Sequence, residues 1–126
     1  MNIPDNLKYT KDHEWVKLDG GIAVVGITDF AQNELGDIVY VDIEKQDEEV
    51  EANEVFGSIE AVKTVSDLFS PLSGKITDVN NKINDQPELI NTNPYEDGWI
   101  IKIQVQNTDE INELLSADEY KALISG

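Results

Sequence analysis

The chain contains no cysteine among its 126 residues. That excludes a disulfide framework, a thiolate metal site and a thiol nucleophile, so any sulfur chemistry has to come from an attached group. Arginine is also absent, and all nine basic residues are lysines. Without it the chain lacks the planar fork that reads phosphates bidentately. Only one histidine is present, His13, which excludes a multi-histidine metal site but leaves an all-carboxylate site open. No apolar run approaches the ~18 residues of a membrane span. The start, Met1-Asn2-Ile3-Pro4-Asp5, has neither a basic region nor an apolar stretch of signal-peptide type. The expectation is a cytoplasmic protein without a membrane role.

Acid is abundant. Twenty-six carboxylates against nine lysines give a net charge of −17. Such a surface repels a nucleic-acid backbone and favours salt-sensitive docking onto basic protein partners. Most of these groups, Asp47-Glu48-Glu49 and Glu51 among them, read as a solvated coat. The length fits one domain, residues 1–126, with a core that needs no staples.

The pattern along the chain is mostly β. Glu14 to Leu18 and Ile22 to Ile27 read as strands joined by Asp19-Gly20-Gly21, a hairpin signal because its glycine accepts positive φ. Thr28 reads as the N-cap of a short helix through Leu35, stopped by Gly36. Ile38 to Ile43 is a β-branched run, and residues 50–59 supply one or two more strands. Lys75 to Val79 alternates as a half-buried strand does, and Asn80-Asn81 ends it. Residues 80–98 read as loop-rich, broken by Pro87, Asn93-Pro94 and Asp97-Gly98. Ile100 to Val105 is the last strand. A short helix is expected over Asp109 to Leu115, followed by a C-terminal helix with the capping box Ser116/Glu119. Many short strands with few helices predict a small barrel or sandwich with helical trimmings.

Lys63 is the most telling residue. It stands alone in Gly57-Ser58-Ile59-Glu60-Ala61-Val62-Lys63-Thr64-Val65-Ser66-Asp67, between two β-prone segments punctuated by Gly57, Pro71 and Gly74. If the segments pair, the amine projects from a hairpin tip, away from the body of the domain. An amine held there suits an enzyme that attaches something to it. Taken alone, an exposed lysine is usually just that; the hairpin context points the other way.

Together these blocks resemble the H proteins of the glycine cleavage system, which are lipoyl carriers. The resemblance rests on His13-Glu14-Trp15-Val16, Gly26-Ile27-Thr28-Asp29-Phe30-Ala31-Gln32 and Leu35-Gly36-Asp37-Ile38-Val39. It continues through Glu60-Ala61-Val62-Lys63-Thr64 and Ser70-Pro71-Leu72-Ser73-Gly74 to Pro87-Glu88-Leu89-Ile90-Asn91 and Pro94-Tyr95-Glu96-Asp97-Gly98-Trp99. It implies the barrel-sandwich hybrid fold of lipoyl and biotinyl domains, with lipoate on Lys63. Biotin carriers place methionine on both sides of their lysine, and lipoyl domains of 2-oxoacid dehydrogenases usually have aspartate before it. Val62 agrees with H proteins, whereas Thr64 stands where they more often have alanine.

The same resemblance implies a non-enzymatic shuttle. Lipoyl-Lys63 would accept an aminomethyl group from a pyridoxal-phosphate glycine decarboxylase and present it to a tetrahydrofolate-dependent aminomethyltransferase. Dihydrolipoamide dehydrogenase would then reoxidise the arm, and lipoyl-attaching enzymes would install it. A related alternative is a relay that passes lipoate to other lipoyl proteins. A free-standing carboxylate hydrolase is disfavoured, because no nucleophile, base and orienter occur together. A purely structural binding module predicts no modification of Lys63.

A loaded arm ends in a primary amine, so carboxylates are its natural neighbours. Glu14, on the first strand, and Asp67, four residues beyond Lys63, are the candidates. Asp12 stands where many family members have serine and either joins them or disturbs them. Each competes with a plain surface-charge reading. His13, beside Trp15, reads as a packing and hydrogen-bonding residue rather than a proton shuttle. Some H proteins have a histidine at the position of Glu34, linked with arm release, and that role does not carry over to a glutamate. Trp15, Tyr95 and Trp99 read as core or rim aromatics.

Overall fold

The structure is a computed structural model that describes residues 2–125, so Met1 and Gly126 of the expected 1–126 domain lie outside the described residues. Its elements are short and mostly β. In order they are β1 (Lys8–Tyr9), β2 (Glu14–Asp19), β3 (Ile22–Ile27), α1 (Asp29–Leu35), β4 (Ile38–Ile43), β5 (Glu49–Val50), β6 (Val55–Ala61) and β7 (Val65–Phe69). They continue with β8 (Gly74–Val79), α2 (Lys82–Asp85), α3 (Leu89–Thr92), β9 (Ile101–Val105), a 3-10 helix (Thr108–Glu113) and α4 (Ala117–Ser125). None of the described helices is long and apolar enough to cross a membrane.

The strands form two antiparallel sheets, one ordered β1-β2-β3-β9-β8-β5 and the other β4-β6-β7. One apolar core joins them. Val25 and Ile27 of β3, Ile76 of β8, and Ile101 and Ile103 of β9 meet Val41 of β4, Phe56 and Ile59 of β6, and Leu68 of β7. This is the expected mostly β architecture with two sheets and short helical trimmings. A second cluster, built from Ile3, Leu7, Tyr9, Trp15, Ala117 and Tyr120, seats α4 against β1 and β2.

Local signals act where they were expected. The β2–β3 hairpin turns at Gly20, whose φ is +63°. Thr28 caps α1 by accepting the Ala31 N–H at 3.2 Å, and the Gly36 N–H closes its far end on Gln32 O. The capping box at α4 is complete: Ser116 N–H donates to Glu119 Oε1 at 2.9 Å, and Glu119 N–H donates to Ser116 Oγ at 3.2 Å.

Residues 80–98 are loop-rich, as expected. They contain the one-turn helices α2 and α3, which insert Ile83 and Ile90 into the main core. Burial of those two side chains overrides the breakers around them. The expected helix over Asp109 to Leu115 is a 3-10 segment over Thr108–Glu113, with Asn107 accepting the Asp109 N–H. The two-residue strand β1 lies outside the expected strands, while β5 begins one residue before the run 50–59 expected to supply one or two strands.

Candidate functional site

β6 and β7 pair as anticipated, with Glu60 opposite Val65, Ile59 opposite Ser66 and Ser58 opposite Asp67. The Ala61 N–H closes the turn on Thr64 O at 2.8 Å, leaving Val62 and Lys63 as its two central residues. The Val62 N–H donates to Asp37 O at 3.0 Å, which pins the tip to the chain leaving α1. Lys63 is exposed. Its side chain nevertheless does not point straight away from the body as expected. It lies along Gly36, so close that a Cβ there would stand 3.4 Å from Lys63 Cε and 3.9 Å from Nζ. Two physical causes favour that path. Gly36 has no side chain to block it, and the carbonyl end of α1 attracts a cation.

Gly36 follows Leu35, and Leu35 lines a cleft of about 460 Å³. One wall is α1, which presents Phe30, Ala31, Glu34 and Leu35, the residues one helical face brings together. A second wall is Asp12, His13 and Glu14 at the start of β2. The third is Ile59 of β6 with Ser66, Asp67 and Leu68 of β7. Three carboxylates singled out from the sequence, Asp12, Glu14 and Asp67, therefore border one space. Lys63 lies against Gly36, one residue beyond the lining Leu35.

The three carboxylates are not equivalent. Asp12 and Asp67 are exposed, Asp67 on an edge strand of the smaller sheet. Glu14 is 2 % exposed. It accepts the Phe69 N–H at 3.1 Å on one carboxyl oxygen and the Thr10 hydroxyl at 3.1 Å on the other. Among the described residues no lysine is paired with it. Burial pushes its pKa up to about 8, the two hydrogen bonds pulling less strongly the other way and Asp12 adding a little repulsion. With its pKa raised to about 8, Glu14 is mostly a neutral acid at pH 7. The plain surface-charge reading of Glu14 does not hold, because its carboxyl is buried.

His13 has the packing and hydrogen-bonding role expected of it. Its ring packs tilted on Phe30 at 4.9 Å, and Nδ1 shares a 2.8 Å hydrogen bond with the Tyr120 hydroxyl. Burial lowers its pKa, while Asp12 and then Glu34 oppose that shift. Trp15 is buried and donates its Nε1 hydrogen to Pro94 O at 2.9 Å. Tyr95 and Trp99 are partly buried and pack against the cluster under α4.

Sequence reasoning missed the hydrogen bonds that hold Glu14, the apolar lining from α1, and Tyr120. The α1 face was available as a signal, because Phe30, Ala31 and Leu35 fall on one side of a capped helix. Nothing local pointed to Thr10 or to the Phe69 N–H.

Comparison with known proteins agrees with this geometry. The sequence model of the family described as glycine cleavage H-protein matches residues 7–126. The glycine cleavage system H protein of Halalkalibacterium halodurans is 52% identical over 124 residues, covering 98% of this chain and 97% of that one. The Bacteroides fragilis protein of the same name is 51% identical over 125 residues, covering 99% of each. The crystal structure of a glycine cleavage system H protein from Mycobacterium marinum superposes with a TM-score of 0.86 at 40% identity, covering 98% of this chain and all of that one. With a family match over nearly its whole length and relatives at half identity, the chain belongs to the glycine cleavage H-protein family.

Proposed function

We propose that this protein is the lipoyl carrier of a glycine cleavage system, that Lys63 is its attachment point, and that it performs no catalysis of its own. Family membership supports the carrier role. The observation that carries the site assignment is the placement of Lys63: an exposed amine on a pinned two-residue turn, laid along Gly36, the residue that follows the cleft-lining Leu35.

The residues present fit a lipoyl group. Ile27, Phe30, Ala31, Leu35, Ile59 and Leu68 offer an apolar path for a hydrocarbon thread. The cleft volume falls within the roughly 300–1,000 Å³ usual for small-molecule sites. Bound as an amide, the group would supply the dithiolane sulfur that takes up the aminomethyl group of glycine. The chain's own residues then present, shelter and release that cargo. Asp12 and Asp67 flank the space with exposed carboxylates, and Glu14 lies at its buried end. An ammonium arriving there draws the proton off Glu14, because an adjacent cation favours the ionised carboxyl. The cleft thus gains a matched negative charge only when its occupant is positive.

In this reading the partners are the glycine decarboxylase, the aminomethyltransferase, dihydrolipoamide dehydrogenase and the lipoyl-attaching enzymes. The test is the intact mass of protein from its native source, followed by peptide mapping. One lipoyl amide on Lys63 is expected. Lys63→Arg should abolish carriage yet retain a wild-type melting curve, since the tip packs little core. Lipoate mapped to another lysine, or full carriage by the variant, would refute the assignment.

A further inference from the structure

The C-terminal helix α4 has hydrophobic packing of its own, yet one of its side chains passes through that packing to bond a residue of the cleft wall. Tyr120 is fully buried. Its ring stacks on Tyr9 with centroids 4.8 Å apart and 9° between planes, and it meets His13 edge-on at 5.7 Å. Its hydroxyl shares one hydrogen bond with His13 Nδ1 at 2.8 Å and another with Thr28 Oγ1 at 2.7 Å.

Those two partners belong to different walls. His13 stands between Asp12 and Glu14 on the β2 side. Thr28 caps α1, whose Phe30, Ala31, Glu34 and Leu35 form the wall opposite. The walls also meet directly, because the Thr28 N–H donates to His13 O at 3.0 Å. His13 itself has a left-handed backbone, with φ of +69°. That conformation is uncommon for a non-glycine residue, although histidine adopts it more readily than most. The contacts around it are its N–H bond to Thr10 O at 3.1 Å, the Thr28 bond and the Tyr120 hydroxyl.

We propose that Tyr120 is a positioning residue for the cargo cleft: through one hydroxyl, the docking of α4 fixes the relative placement of the two walls between which the arm of Lys63 would lie. This deepens the carrier reading and rests on it. The ring alone does not explain the residue, since a phenylalanine would stack on Tyr9 as well. A fully buried hydroxyl is costly unless it is paired, and here it is paired with His13, which lines the cleft, and with Thr28, which caps the helix forming the opposite wall. Removing it leaves Thr28 still able to cap Ala31, so α1 persists. It frees the His13 ring, and with it the β2 wall, from the helix behind.

The experiment uses the full-length lipoylated chain carrying Tyr120→Phe, with Leu123→Ala on the exposed side of α4 as control. The first readout is the ring ¹⁵N spectrum of His13. Wild type and Leu123→Ala should show one fixed tautomer, and Tyr120→Phe a shifted, exchange-averaged pattern. The second is the lifetime of the aminomethyl-loaded arm in isolation, expected to fall roughly tenfold in Tyr120→Phe, the factor that corresponds to losing one hydrogen-bonded constraint. Should Tyr120→Phe lose cooperative melting, His13→Gly carries the comparison. Glycine accepts the left-handed backbone and has no side chain to reach Tyr120, and the same shortening is expected. A cooperatively folded variant with wild-type His13 signals and wild-type lifetime overturns the inference while leaving the carrier reading intact. A wild-type lifetime no longer than that of free aminomethyl-dihydrolipoamide overturns the sheltering cleft, and the positioning role with it.

Discussion

Replacing Glu14 by glutamine should stabilise the empty protein in alkaline solution while weakening its hold on a cationic cargo. The buried carboxyl has its pKa raised from 4.5 to about 8, chiefly by desolvation. Between those values the unfolded chain has given up the proton and the folded chain still holds it, so folding stability falls as pH rises. Below 4.5 both states are protonated and nothing is lost; above about 8 both are ionised and the loss is complete. Within the window the slope is about 1.4 kcal/mol per pH unit, and the whole interval is worth on the order of 5 kcal/mol. Glutamine keeps an oxygen for the Phe69 N–H and does not ionise. The stability difference between variant and wild type should therefore move in the variant's favour by roughly 2–3 kcal/mol from pH 6 to pH 8. Urea unfolding of both proteins at pH 5 to 9 measures it, and the other titrating groups, His13 included, cancel in the difference. Parallel curves would refute the burial argument. Cargo should respond the other way. A charge-assisted hydrogen bond is worth about 1.5–3 kcal/mol, so Glu14→Gln should shorten the lifetime of a loaded arm by roughly one to two decades.

Two further outcomes follow from charge and from packing. With net charge −17 and no arginine, binding to partner enzymes should weaken steadily as salt rises, because exposed pairs are screened over about 8 Å at physiological ionic strength; affinity that stays flat in a salt titration would indicate a mainly apolar interface. Gly26→Ala should destabilise the fold by about 1–3 kcal/mol, the usual cost of overpacking, since its Cβ would fall 2.6 Å from Trp15 Nε1; chemical unfolding measures this, and an unchanged midpoint would show that the indole yields freely.

The elements legible in the sequence are those specified by neighbours along the chain. The Asp19-Gly20 turn, the Thr28 and Gly36 caps and the Ser116/Glu119 box all act within four residues. The elements missed or only partly read depend on distant partners. β1 is a strand because Lys8 and Tyr9 face Val16 and Trp15, and β5 because Glu49 and Val50 face Lys75 and Gly74. The helices α2 and α3 exist because Ile83 and Ile90 fill the core. The site divides in the same way. The lysine hairpin could be read from its flanks, and the three carboxylates by resemblance. The protonation of Glu14 could not be. β2 buries Glu14, Trp15 and Val16 in succession, which breaks the alternation expected of a strand covered on one side. Cover on both faces arises only once α4 and β7 have folded over it.

The pinning of the hairpin tip to Asp37 also bears on how strongly the cleft must bind. A tether on Lys63 would start beside Gly36, next to the residues that line the cleft, so its occupancy would be an intramolecular event. A short flexible tether sets an effective concentration in the millimolar range. A recess with only millimolar intrinsic affinity would then be about half filled. Entry and exit of such an arm would then be nearly balanced, so that the gain of a single charged contact would tip it inward and a partner offering slightly more would draw it out again.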